Sequence, residues 1–215
     1  MKRRNLVQLA AAVLASTLMA GVMPLAHAQE APDAMIKRLS DEVLAEIRSD
    51  AAIQAGDIDK VMALVDRKVM PNVNFQRMTA SAVGPAWRQA TPEQRQRLQQ
   101  EFKTLLVRTY SGALSQVSNE QVQMKPLRAA PTDTDVVVRS EIRGRGDPIQ
   151  LEYRMEKADS GWKIYNLNVL GVWLVETYRS QFAQEVNAKG IDGLIASLAE
   201  RNKTNAGNGN GVRKG

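Results

Sequence analysis

The chain predicts an α+β fold in which helices pack on a curved antiparallel sheet of about four strands. Three observations carry that reading. Apolar residues recur at three- and four-residue spacing from Met35 to Leu114, the period drops to two between Gln121 and Val169, and the helical spacing returns after Gly171. Helices first, a meander second and helices returning over the sheet is an α+β order, not the regular alternation of an α/β fold.

Residues 1–28 have the form of an export signal. Lys2, Arg3 and Arg4 make a positive start, Leu6 to Leu25 is apolar and alanine-rich, and Ala26-His27-Ala28 is the small-x-small pattern cut by signal peptidase. The mature chain then begins at Gln29 and is expected outside the cytoplasm. The competing reading is an uncleaved anchor, because the run approaches the roughly 20 residues that span a bilayer. With no cysteine after the cleavage site, a lipoprotein anchor is excluded. Arg3-Arg4 loosely matches a twin-arginine signal, but paired arginines are also common in ordinary secretory signals.

His27 is the only histidine, and there is no cysteine anywhere. Once the signal is removed, Ser-His-Asp and Cys-His nucleophiles, histidine acid-base chemistry and nearly all zinc, copper or haem sites are ruled out. Disulfides are absent too, so stability must come from an ordinary core, for which the roughly 170 residues of 29–200 suffice as one domain.

The formal charge of +6 is unevenly spread. Lys2, Arg3 and Arg4 lie in the signal, and Arg201, Lys203, Arg213 and Lys214 lie at the C-terminus, so residues 29–200 carry −1. A near-neutral body argues against a nucleic-acid partner. Residues 201–215, rich in Gly and Asn, read as a disordered tail that is either a solvated extension or an attraction to anionic headgroups.

The first helix is expected from Pro32 to Arg48, with Met35, Leu39, Val43 and Ile47 every fourth residue. Asp57 caps a second from Ile58 to Met70, which Pro71 ends. Phe75, Met78 and Val83 make a short ridge that Gly84-Pro85 stops. The longest helix runs over residues 92–117. Thr91 is its cap, Pro92 its first residue and Gln94 the capping-box partner, while Leu98, Phe102, Leu105, Leu106 and Tyr110 form its apolar side.

Strands follow at Gln121–Leu127, Asp135–Arg143, Ile149–Glu156 and Trp162–Val169. Ile149, Leu151, Tyr153 and Met155 share one face of the third, opposite Gln150, Glu152, Arg154 and Glu156. Gly144 to Pro148 is a turn and not a phosphate loop, because no helix follows it. A helix carrying Leu174, Tyr178, Phe182 and Val186 ends at Gly190, and Asp192 caps a last one with Leu194, Ile195 and Leu198.

Two stretches, PNVNFQRMTASAVGPAWRQATPEQRQRLQQEFKTLLVRTYSGAL (Pro71 to Leu114) and WKIYNLNVLGVWLVETYRSQFAQEVNAKGIDGLIASL (Trp162 to Leu198), resemble the MlaC family of periplasmic phospholipid carriers, also known as toluene-tolerance proteins. The likeness covers most of the chain after the first thirty residues and includes no catalytic signature. It implies an apolar pocket between the sheet and the long helix, holding the acyl chains of a phospholipid as cargo with no cofactor. The lining residues would be Phe75, Met78, Phe102, Leu105, Leu106 and Tyr110 on helices, Val136, Val138, Leu151 and Tyr153 on the sheet, and Val172 and Trp173 at the strand-to-helix junction. The indole of Trp173 departs from the small or polar residue often found after Gly-Val in this family, and either narrows the mouth or packs under the last helices. The resemblance also implies a monomer that exchanges lipid with an inner-membrane ABC transporter carrying a substrate-binding ring and with an outer-membrane lipoprotein-porin complex.

Two other readings use the same residues. Glu152 and Glu156 on the charged strand face would have to serve an acid-dependent enzyme without a histidine, and Arg154 between them points instead to a solvated exterior. A chaperone or adaptor would need only the fold, with a filled core.

Overall fold

The computed structural model describes residues 29–112, 119–144 and 146–208. The export signal expected at 1–28 and the end of the tail, 209–215, lie outside the described residues, as do Ala113 and Leu114 of the long helix.

Helix α1 spans Pro32–Ser49 and begins with proline at its first position, where no backbone donor is lost. A short α2, Ala51–Gln54, follows at once because the Asp50 carboxylate accepts from the backbone N–H groups of Ala52 and Ile53. Asp57 does the same for α3, Ile58–Leu64. The expected helix to Met70 does not stay regular: Val65–Val69 widens into a π turn and Met70–Asn72 tightens into a 3-10 turn. The widened turn sends Asp66 to Lys103 at 2.6 Å and Lys68 to Glu42 of α1 at 3.1 Å. Asn74 caps α4, Phe75–Val83, and Gly84, at φ 73°, ends it. Gly84–Arg88 is another 3-10 turn.

α5 runs Pro92–Tyr110 and opens on the expected capping box, Gln94 N–H to Thr91 Oγ1 at 3.2 Å and Thr91 N–H to Gln94 Oε1 at 3.0 Å. The sheet is an antiparallel meander of five strands in chain order: β1 Gln121–Met124, β2 Asp135–Arg143, β3 Ile149–Ala158, β4 Gly161–Val169 and β5 Val172–Trp173. The fifth is a two-residue strand at the position where the sequence pattern predicts a strand-to-helix junction. Between Arg154 and Met155 of β3 the β4 partner jumps from Asn166 to Ile164, leaving Tyr165 as a bulge.

α6 spans Leu174–Asn208 with a break at Gly190, where φ is 69°. Asp192 accepts from Gln94 of the α5 capping box at 2.7 Å. Helix therefore continues past residue 200, the expected limit of the domain. Asn202 is buried and donates to the Glu101 backbone carbonyl at 3.0 Å and to its carboxylate at 2.8 Å.

The core has three parts. Met35, Ile36 and Leu39 of α1 pack on Val136, Val138, Tyr153, Met155 and Ile164 of the sheet. α4, α5 and α6 enclose Phe75, Met78, Phe102, Tyr178 and Phe182, with Phe102 edge-on to Tyr178 and Phe182 at 4.9 and 5.2 Å between centroids. A third group joins Ile47, Ile53, Val61, Leu64 and Val107. The deep part of the sheet's apolar face is thus covered by α1, on the face where a hollow against the long helix is expected. α6 brings Val175, Tyr178, Phe182, Leu194 and Leu198 to α5, covering Leu98, Phe102 and Leu105.

Candidate functional site

Along the inner face of the sheet, burial falls from one end to the other. The register aligns Val136 with Met155 and Ile164, Val138 with Tyr153 and Leu167, Ser140 with Leu151 and Val169, and Ile142 with Ile149. The first row is sealed under α1. Leu151, Leu167 and Val169 are half-buried, and Ile149 is exposed. The large apolar residues exposed among the described ones are Ile149 at 38%, Tyr110 at 40%, Val172 at 51% and Leu170 at 63%. Three of these meet at one end of the sheet: Val172 pairs with Val169, and the Leu170 N–H bonds the Gln150 carbonyl at 3.0 Å, beside Ile149.

The fourth, Tyr110, lies on the helical side of the molecule. It ends α5 and stands near Tyr178, whose hydroxyl is held above its ordinary value by burial and then by Tyr110, while hydrogen bonding to Thr109 works the other way. Tyr178 lies in the first turns of α6, which begins directly after β5. Ile149, Leu151, Val169 and Val172 thus form an apolar shelf at one end of the inner face of the sheet, and contiguous apolar exposure of this kind is characteristic of interaction surfaces.

A polar step separates the shelf from the sealed core. Tyr153 is buried, its hydroxyl 3.3 Å from Ser140 Oγ and also bonded by Ser40 of α1. Burial pushes this phenol above its usual range, with the serine bonds offsetting only part of the effect, so it is neutral at physiological pH.

The twelve residues expected to line one pocket are divided by the structure. Phe75, Met78, Phe102 and Leu105 are buried together in the helical core, with Leu106 half-buried beside them. Val136, Val138 and Tyr153 are buried under α1, with Leu151 half-buried at the edge of that core. Val172 is exposed on the shelf, and Tyr110 is exposed at the end of α5. Trp173, opposite Asn168, turns to the other face of the sheet, where the Arg154 guanidinium sits 4.1 Å above its ring.

The sequence reading missed Leu167 and Val169 because the Tyr165 bulge changes the parity of β4. Ile164 and Leu167 are three apart yet share a face, and that break in the alternation was the available signal. Ser40 and Ser140 were missed because nothing in an isolated serine tells which tyrosine it will meet.

The acids considered for an enzyme are both tied down on the outer face. Glu152 pairs with Arg139 at 2.6 Å, and Glu156 takes Asn74 Nδ2 at 2.6 Å and the Arg77 guanidinium. Among the described residues no group of three or more His, Cys, Asp or Glu is placed to hold a metal ion.

Comparison with known proteins places these features in a family. A solved structure of a phospholipid-binding protein from Ralstonia solanacearum, in complex with a phospholipid, superposes with a TM-score of 0.79 at 48% identity, covering 81% of this chain and 98% of that one. The intermembrane phospholipid transport system binding protein MlaC of Haemophilus influenzae is 24% identical over 179 residues, 81% of this chain and 84% of that protein. Toluene tolerance protein ttg2D of Pseudomonas putida is 25% identical over 190 residues, 85% of this chain and 88% of its own length. The family model described as MlaC protein matches residues 37–200, and the chain belongs to the MlaC family.

Proposed function

We propose that this protein is a non-enzymatic periplasmic phospholipid carrier, moving lipid between outer and inner membranes so that the asymmetry of the outer membrane is maintained. The observation that carries the reading is the apolar shelf at the open end of the sheet, on a fold shared with a phospholipid-bound relative at 48% identity. Carrying a two-chain lipid through water requires covering about thirty methylenes at ~0.8 kcal/mol each, on the order of 20 kcal/mol. Only an apolar site can offset that, so discrimination among headgroups is weak.

Direct acyl contact is assigned to Leu106, Tyr110, Leu151 and Val172, joined by Ile149 and Val169. Phe75, Met78, Phe102 and Leu105 on one side, and Val136, Val138 and Tyr153 on the other, serve as the packed walls behind them. The cargo is the only small molecule the reading requires. The chain acts as a monomer that passes lipid to the ring of an inner-membrane ABC transporter and meets a lipoprotein-porin complex at the outer membrane.

The test is organic extraction of residues 29–215, purified without detergent, followed by lipid mass spectrometry. Phospholipid in a one-to-one ratio with protein is the expected result. A lipid-free, monodisperse protein that also fails to take up added phospholipid overturns the proposal and favours an interaction module.

A further inference from the structure

We infer that a groove between α4 and α6 is a docking site for an acidic segment of a protein partner. The groove has a volume of about 370 Å3 and forms where the end of α4 and the following 3-10 turn meet α6. Ala80, Pro85 and Trp87 give it an apolar floor, and Arg77, Arg88 and Arg179 stand around it.

The three guanidinium groups are not equivalent. Arg77 is neutralised: it pairs with Glu156 and, at 3.5 Å, with Asp135, and lies 3.5 Å from the centroid of the Tyr165 ring. Arg88 and Arg179, both exposed, make no ion pair within the described residues. Arg139, Arg143 and Arg154 find acids at Glu152, Glu141 and Glu176, whereas Arg95, Arg108 and Arg128 share with Arg88 and Arg179 the lack of an ion pair among the described residues, so it is the placing of two such charges at one groove that sets this site apart. Two uncompensated charges therefore border one groove on a body whose charge over residues 29–200 is −1. The attraction is local to the groove and not a property of the whole surface.

The rim is also fixed in place. Arg95 of α5 donates to the Trp87 carbonyl at 3.1 Å and to the Arg88 carbonyl at 3.2 Å, and lies 5.5 Å from the Trp87 ring. Gly84, at φ 73°, presents no side chain beside Arg179, whose Nε is 3.8 Å from where one would begin. Because the turn is already held, binding orders little that was mobile.

The arrangement favours a peptide over a small anion. Free phosphate is best held by donors converging on one point, but here Arg77 is already occupied and the two free guanidinium groups flank an apolar floor. Carboxylates spaced along a chain with an apolar side chain between them match that layout, through charge-assisted hydrogen bonds at each end. Arg77 is anchored to Asp135 and Glu156 on the outer face of the sheet, away from the shelf, so this inference does not rest on the lipid reading.

The test is calorimetric titration of the mature chain, residues 29–215, with a synthetic hexapeptide of glutamate and leucine at low salt, and separately with inorganic phosphate. Saturable peptide binding is expected, weakened at least ~tenfold in the double variant Arg88→Gln/Arg179→Gln. The same binding is expected in Lys60→Gln/Arg128→Gln, which removes equal charge elsewhere. No saturable binding, or equal loss in both double variants, overturns the inference. Phosphate that binds and displaces the peptide with the same arginine dependence overturns it in favour of a free-anion site. Lipid content measured on the same variants stays unchanged, which separates this result from the carrier test.

Discussion

Leu151 and Met155 lie four residues apart on the same face of β3, yet Met155 is sealed from solvent under α1 while Leu151 is only half-buried. The difference is one of cover. Placing a carboxylate at Leu151 or Leu106 asks acyl chains to lie against an unpaired charge. Leu151→Glu and Leu106→Glu are each expected to cut bound phospholipid at least ~tenfold while the protein stays folded. Trp173→Phe, on the opposite face, leaves lipid content unchanged. Normal lipid content by extraction and mass spectrometry in folded glutamate variants would refute the placement.

Phe102 sits at the centre of the helical aromatic group, in contact with Phe75, Tyr178 and Phe182. Phe102→Ala leaves a cavity among three rings that cannot all close over it. A loss of ~3–5 kcal/mol is expected in urea unfolding. A loss below ~1 kcal/mol would mean that the helices collapse onto the gap.

Leu170 occupies the left-handed region at φ 52° in the turn between β4 and β5, with Gly171 at φ 87° following. A branched side chain there costs on the order of 1 kcal/mol, and asparagine tolerates the conformation. Leu170→Asn is expected to raise stability by up to ~1 kcal/mol, read as a higher urea midpoint with an unchanged slope. A lower midpoint would show that the exposed leucine contributes more by packing than it loses by strain.

Glu141 is a buried carboxylate held below its ordinary range, first by Lys125 and then by Arg143. A depressed folded value means that its contribution is fully present above the unfolded value of about 4.3 and disappears as pH falls through the folded one. Wild type is therefore expected to exceed Glu141→Gln in stability at neutral pH, with the gap narrowing below about pH 4. Urea midpoints at the two pH values check the sign. A gap that widens in acid would contradict it.

Local chemistry was legible in the sequence where one short stretch decided it. The Thr91–Gln94 capping box, the Asp57 cap and the alternation of Ile149 to Met155 all appear where expected. What periodicity leaves open is the partner of each apolar side. Phe102 and Val138 were read as facing one another across a hollow, but a helical stripe records only that something covers it. α6 covers the first and α1 the second. The shelf was visible in part, through Leu151 and Val172, while Val169 was hidden by the bulge at Tyr165; Trp173, expected beside Val172, lies on the other face by the parity of a two-residue strand.

The packing of α1 on the sheet also sets an order of assembly. Met35, Ile36 and Leu39 come early in the chain, and the strands they cover come from its second half. Chain closure of that span must precede any reward from the contact. A polypeptide emerging from its N-terminus therefore holds an unsatisfied apolar helix until β2, β3 and β4 have followed it. Fragments ending before β3 have no surface on which to lay that helix, so the two halves of the protein are not separable folding units.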